Sequence, residues 1–267
     1  MTKHHTKHNT KHHVRKRLVA MLLASIASTA CSQSSPKAMD ARTTPDAQTM
    51  SPLAPPGLAD SAFPKPARGV ASIVSPSWDN EDDRDRVGEA DTVMAVLGIR
   101  TGMSVADIGA GSGYYTMRVA ARVGPRGRVY AEDITPSYLR DLRARVQKAG
   151  LSNVTLVSGD PSDPRLGPQS VDRALLIHMY HEIRQPFGLL YNLYPALRPG
   201  ARIGIVDLNR ATYAHGTPPA QLTCELTAAG YDQVEFRALP EGYLAVFTPR
   251  ERASPAMIRA ALAAKKC

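Results

Sequence analysis

The stretch Val105-Ala106-Asp107-Ile108-Gly109-Ala110-Gly111-Ser112-Gly113 constrains the fold of this 267-residue chain more than any other. Its apolar start reads as a buried strand. The strand breaks into three glycines at alternate positions, and Tyr114 to Val123 then reads as a helix stopped by Gly124-Pro125. A strand that turns on glycine into a helix is the opening unit of an open α/β sheet, whose ligands sit at the carboxyl ends of the strands where strand order reverses. Glycine lets backbone approach a ligand without a Cβ in the way. The N–H groups at the start of the helix favour an anionic end such as a carboxylate.

The remainder alternates in the same way. Strands are predicted at 103–108, 128–133, 154–157, 171–178 and 202–208. Helices are predicted at 114–123, from Pro136 to Ala149 behind a Thr135 cap, at 186–198 with a break at Pro195, and from Thr217-Pro218 to Gly230. The apolar run Ala174 to Ile177 suits a strand covered on both faces. Two last strands, near 232–238 and 242–248, read as a hairpin around Leu239-Pro240-Glu241-Gly242. This predicts a doubly wound, Rossmann-like α/β fold: a mostly parallel seven-stranded sheet with an antiparallel C-terminal hairpin. Upstream, Val87, Ala90, Val93, Met94 and Leu97 recur at helical spacing behind Trp78 and an acid-rich run, a segment expected to cap the core or lid its pocket. Trp78 is expected as a packing anchor or a wall of the pocket.

The first seventy residues read as delivery. Thr-Lys-His occurs three times before Arg15-Lys16-Arg17, and an uncharged run follows from Leu18 to Ala30. Thirteen residues fall short of the roughly twenty that span a bilayer. A basic stretch, a short apolar run and Ser28-Thr29-Ala30 make a secretory signal over residues 1–30. Cys31 follows at once, as in bacterial lipoprotein signals, although Ser28 stands where those carry leucine. The expectation is an exported protein, periplasmic or attached to a membrane through a lipidated Cys31; a start at Met39 or Met50 would leave it in the cytoplasm. Residues 31–68, rich in Pro, Ser and Ala, are expected as a disordered tether. The functional domain is placed at 69–250, and 251–267 is a tail or short helix.

The net charge of +9 resides largely in six lysines and arginines of the first seventeen residues; without them 27 basic residues face 24 acidic ones. The body of the chain thus gives no electrostatic reason to expect a nucleic-acid partner. The three cysteines lack the spacing of a zinc site or a disulfide framework, and no metal ligand set is expected. The histidines of the leader read as part of a solvated cationic tail.

Two cofactor classes use a glycine turn of this kind. The dinucleotide fingerprint ends in a third glycine where this chain has Tyr114. The alternating glycines with Asp107 before them resemble the first motif of class I methyltransferases dependent on S-adenosylmethionine (SAM). Val129-Tyr130-Ala131-Glu132-Asp133-Ile134 resembles the second motif, Ser158-Gly159-Asp160 the adenine loop, and Ser170-Val171-Asp172 the start of the fourth strand. Leu197-Arg198-Pro199-Gly200-Ala201 resembles the turn before the fifth strand, with Ala201 in place of a glycine. The resemblance implies SAM as cofactor. It implies that Asp107 supports the turn and the methionine end, that Gly109, Gly111 and Gly113 line the cofactor, that Asp133 holds the ribose, and that Asp160 faces the adenine.

Methyl transfer would then occur past the fourth strand, at His178-Met179-Tyr180-His181-Glu182. His181 is the expected general base, since imidazole titrates near neutrality. Glu182 orients it or starts a helix, and His178 lines the cofactor pocket. Tyr114 and Tyr115 wall the cleft, or one of them packs in the core, while Asp207 and His215 are further groups that reach the rim. The acceptor is expected to be a small molecule, because the domain has no long insertion for gripping a macromolecule. The competing expectation is an exported binding protein that kept the fold without the chemistry.

Overall fold

The computed structural model describes residues 50–73 and 81–265. The signal segment, Cys31, Trp78, Cys267 and the tether up to residue 49 lie outside the described residues. Seven strands form one sheet: β1 (Ser104–Ile108), β2 (Arg128–Asp133), β3 (Val154–Ser158), β4 (Val171–Ile177), β5 (Leu197–Asp207), β6 (Tyr231–Ala238) and β7 (Tyr243–Pro249). Their order is β3-β2-β1-β4-β5-β7-β6. The first five are mutually parallel, and β7 runs antiparallel between β5 and the edge strand β6. The chain leaves β1 toward β2 and β3, then returns to place β4 on the other side of β1. Strand order therefore reverses between β1 and β4, and the cleft opens at their carboxyl ends.

Strand alternation divides the core. Ala106, Ile108, Ala174, Leu176, Ile203 and Ile205 face one layer, made with α5 (Pro186–Leu193), α6 (Pro219–Ala228) and α7 (Pro255–Lys265). Val105, Leu175 and Val206 face the other, made with α2 (Glu89–Val96), α3 (Tyr114–Val123) and α4 (Pro136–Lys148). Ala174, Leu175 and Leu176 are wholly buried, as expected for a strand covered on both faces. Gly204 lacks a side chain where Leu97 crosses the sheet; a Cβ there would lie 2.6 Å from Leu97 Cδ1.

Four expectations need correction. The helix expected around 87–97 is two, α1 (Glu81–Val87) and α2, parted by Gly88 at φ 67°. Glycine tolerates this left-handed conformation, and the bend leaves Val87 half exposed instead of in the buried stripe. Thr135 precedes α4, but its hydroxyl does not cap the helix; its N–H donates to Asp133 Oδ1 at 2.8 Å. The short helix allowed for 251–267 is present as α7, and only the domain's end needs moving: α7 buries Ile258 completely and starts where the Met257 N–H meets Ser254 Oγ. The domain thus extends beyond residue 250.

The largest correction concerns the tether. Residues 50–73 are not a free spacer but a strap laid along the domain. Gly57 N–H donates to Asp163 Oδ2 at 2.7 Å, and Asn192 clasps the Leu58 backbone on both sides. Phe63 is buried, and Gln185 and Arg259 donate to the carbonyls of Pro64 and Ala62. Arg68 makes a buried ion pair with Glu225, Nε to Oε1 at 3.0 Å, with side chains 3% and 2% exposed. A segment without periodicity is ordered here because side chains of the domain satisfy its backbone.

Candidate active site

A cavity of about 610 Å³ opens at the carboxyl ends of β1, β2 and β4. It gathers Asp107, Gly109, Gly111, Asp133, Asp160, His178, His181 and Glu182, all but one of the residues expected there. The exception is Gly113. At φ 84° it starts α3, and a Cβ on it would collide with Leu142 of α4. This glycine serves the packing of two helices, not the lining of the cavity. Tyr114 and Tyr115 wall the cleft as expected, both buried.

The glycine turn is fastened to the end of β2. Gly109 N–H donates to Glu132 Oε2 at 3.3 Å and Gly111 N–H to Asp133 Oδ2 at 2.9 Å. With Thr135 N–H on its Oδ1, Asp133 has one N–H on each oxygen. Each oxygen keeps a lone pair, enough for a hydroxyl apiece. Asp107 accepts from Thr116 Oγ1 at 2.6 Å. Burial, and then the neighbouring Asp133, push the Asp107 carboxyl up to about 6 against that hydrogen bond. Burial also pushes Glu132 well above the usual carboxylate range, with Asp133 adding to it. Three acids on two adjacent strand ends thus crowd one another in a desolvated place, which suits a ligand bringing positive charge.

His178 stands just past β4 at φ 53°, a conformation rare outside glycine. Its N–H donates to Val206 O at 2.8 Å, and its Nε2 lies 3.0 Å from Glu89 Oε2. Glu89, from α2, also receives Arg84 and the Tyr115 hydroxyl at 3.0 Å each. Burial would raise this carboxyl, but the His178 hydrogen bond and charge, with Arg84 and Tyr115, hold it down at about 2. Neither Arg84 nor Glu89 was singled out from sequence. Glu89 lies just past the acid-rich run, in the segment expected as a helix, where an acid one position before the buried-stripe residue Ala90 was the available signal.

His181 is 3% exposed, in the 3-10 turn Tyr180–Glu182. Its Nδ1 lies 2.9 Å from Asp207 Oδ1, and Asp207, wholly buried, is fixed by Thr217 Oγ1 at 2.7 Å and its neighbour's Leu208 N–H at 2.8 Å. Asp207, not Glu182, orients the ring. Glu182 Oε1 stands 3.9 Å from the other nitrogen, Nε2. His215 completes the group, its ring centroid 5.5 Å from that of His181. The strap reaches the same place: Ala71 N–H donates to His181 O, and Ala71 to Ile73 line the cavity. Asp160 is held at the rim by Arg165 at 2.6 Å.

Sheet order, cavity position and glycine turn give a Rossmann-like fold, consistent with that of methyltransferases. Residues 105–200 match the model of a methyltransferase domain. Among individual proteins, the chain is 23% identical over 145 residues to a demethylmenaquinone methyltransferase of Listeria welshimeri, covering 53% of this chain and 61% of that one. It is 29% identical over 134 residues to a protein-L-isoaspartate O-methyltransferase of Methanothrix thermoacetophila, covering 47% and 61%. The match thus spans less than two thirds of either relative. A SAM-dependent methyltransferase structure from Aquifex aeolicus superposes with a TM-score of 0.56 at 21% identity, over 63% of this chain and 97% of that one. The cofactor these findings support is SAM, a cation whose charge fits the acids at the turn.

Proposed function

We propose that this domain transfers a methyl group from SAM to a small-molecule acceptor bound at the His181 end of the cavity. The observation that carries this reading is that the glycine turn and the Asp207-held imidazole face one cavity of about 610 Å³. SAM supplies an activated methyl, moved by in-line displacement. The chain's part is to hold acceptor and methyl in near-attack geometry and to activate the acceptor. Asp133 takes the ribose hydroxyls on its remaining lone pairs, and Asp107 and Glu132 keep the turn in shape. His181, with Nδ1 on Asp207, presents Nε2 to the acceptor.

Calorimetric titration of the purified protein with SAM and NAD tests the reading. SAM binding without NAD binding is expected; NAD binding, or neither, refutes it. Asp133→Ala should weaken SAM binding by about 10- to 100-fold, the worth of one hydrogen bond to a charged group; unchanged affinity would remove the ribose assignment. His181→Ala should leave SAM affinity in place and slow turnover.

We also propose that the protein acts outside the cytosol, anchored through Cys31. The basic stretch, the short apolar run and Ser28-Thr29-Ala30 ahead of Cys31 support this reading. Intact-mass measurement of native protein decides the matter: a chain starting at an unmodified Met1 rules out processing. SAM made in the cytosol would have to reach such a protein, so copurified SAM or its demethylated product would join the two proposals.

A further inference from the structure

We propose that His181, Glu182 and His215 bind a divalent transition-metal ion at the acceptor end of the cavity. One ligand atom from each lies within 4.8 Å of the others. Tetrahedral ligands on bonds of about 2.0–2.1 Å sit roughly 3.4 Å apart, so modest side-chain rotation closes the set. Two imidazoles and a carboxylate suit zinc, manganese, iron or cobalt rather than the all-oxygen shells of calcium and magnesium.

Two further observations point to a ligand there. First, His181 has the support typical of a metal-bound histidine. Its Nδ1 is tied to the Asp207 carboxylate at 2.9 Å, which leaves the Nε2 lone pair on the side of Glu182. Asp207 is itself held by Thr217 and Leu208. Second, Nδ1 of His215 is buried and has no hydrogen-bond partner among the described residues. His215 also has a φ of 57°. A strained residue carrying an orphaned buried nitrogen, edge-on to a carboxylate-backed histidine, calls for a partner. The two histidines come from the separate loops that follow β4 and β5, so the set is brought together by the fold and not by a local motif.

Such an ion selects an acceptor with oxygen ligands, a hydroxyl compound able to coordinate it. This last step rests on the methyl-transfer reading; ion binding does not. With the ion seated, His181 is a ligand and not a base. The coordinated O–H loses its proton to water, the oxygen bonds to the methyl carbon, and the carbon–sulfur electron pair stays on sulfur.

The test uses full-length protein in which His4, His5, His8, His12 and His13 of the leader are alanine, so that only His178, His181 and His215 remain. After chelator treatment it is dialysed against zinc or manganese and titrated in parallel with SAM. We expect one ion per chain, at least tenfold weaker binding in His215→Ala and in Glu182→Gln, and a 10- to 100-fold loss in Asp207→Asn. SAM affinity of His215→Ala and Glu182→Gln should match the parent, which also reports that they fold. No stoichiometric ion, or equal binding in the parent and both ligand variants, overturns the site. A parent that binds SAM but no stoichiometric ion fails this inference alone; a parent that binds the ion but not SAM fails the methyl-transfer reading alone.

Discussion

Arg68 offers the sharpest test of whether residues 50–73 belong to the domain. Its guanidinium donates to Glu225 and to the carbonyls of Tyr180 and Ile183, and the Tyr180 hydroxyl donates to the same Glu225 carboxylate at 2.8 Å. Both charged side chains are almost wholly removed from water. Removing one member of such a pair strands the other, and this costs about 3–5 kcal/mol. Arg68→Ala should therefore lower stability by that amount, or about 6–20 °C in melting temperature for a domain near 200 residues. Adding Glu225→Gln should recover part of the loss, because it removes the stranded charge; the coupling should fall between about 0.5 and 3 kcal/mol. Urea unfolding of the parent, both single variants and the double variant measures this. A free tether would give the response of an exposed site, within about 0.5 kcal/mol. That result for Arg68→Ala would refute the docked strap.

Three other outcomes follow from the site. Asp107 has its carboxyl raised to about 6 by burial and by Asp133, so folding loses stability as pH rises from about 4 through 6; Asp107→Asn should gain up to about 3 kcal/mol at pH 8, little at pH 4, and weaken SAM binding. Glu89 has its carboxyl lowered to about 2 by His178, Arg84 and Tyr115 despite burial, so its contribution is present above pH 4.5 and is lost as pH falls toward 2; parent urea midpoints should drop over that range by up to about 3 kcal/mol, and those of Glu89→Gln should drop less. Gly113→Ala meets both a left-handed φ and Leu142, and should lower stability by roughly 1–3 kcal/mol, seen as a shift in thermal unfolding; a neutral result would contradict the packing role given to this glycine.

Much of the sheet was legible because its information is local. Period-two burial, glycine stops and the Pro136 start mark elements without knowledge of their neighbours. The glycine turn, Asp133 and the histidines after β4 could be placed because strand ends gather at one edge of such a sheet. The partner of His181 was another matter. Asp207 lies 26 residues away and becomes its neighbour because β5 runs beside β4, with Ile177 opposite Val206. Glu182 was nearer in sequence, yet a 3-10 turn carries it past the ring to the opposite nitrogen. The strap was misread for a related reason: its order comes from Asp163, Asn192 and Glu225, more than a hundred residues away, and not from a pattern of its own.

These misses share a location, and the location bears on function. The methyltransferase-domain match covers residues 105–200, which hold the glycine turn, the β2 acids and the adenine loop. Some of the groups that line or brace the cavity lie outside it: Ala71 to Ile73 on the strap, Arg84 on α1, Glu89 behind His178, Asp207 at the end of β5 behind His181, and His215 beyond it. Similarity within the matched range therefore speaks to the cofactor. On the methyl-transfer reading, the parts outside that range add to the shape and charge an acceptor would meet. Exchanging residues 50–97 or 207–216 with those of a relative should accordingly alter acceptor selectivity and leave SAM affinity near that of the parent. A change of equal size in both would mean that the two ends of the cavity are not separable.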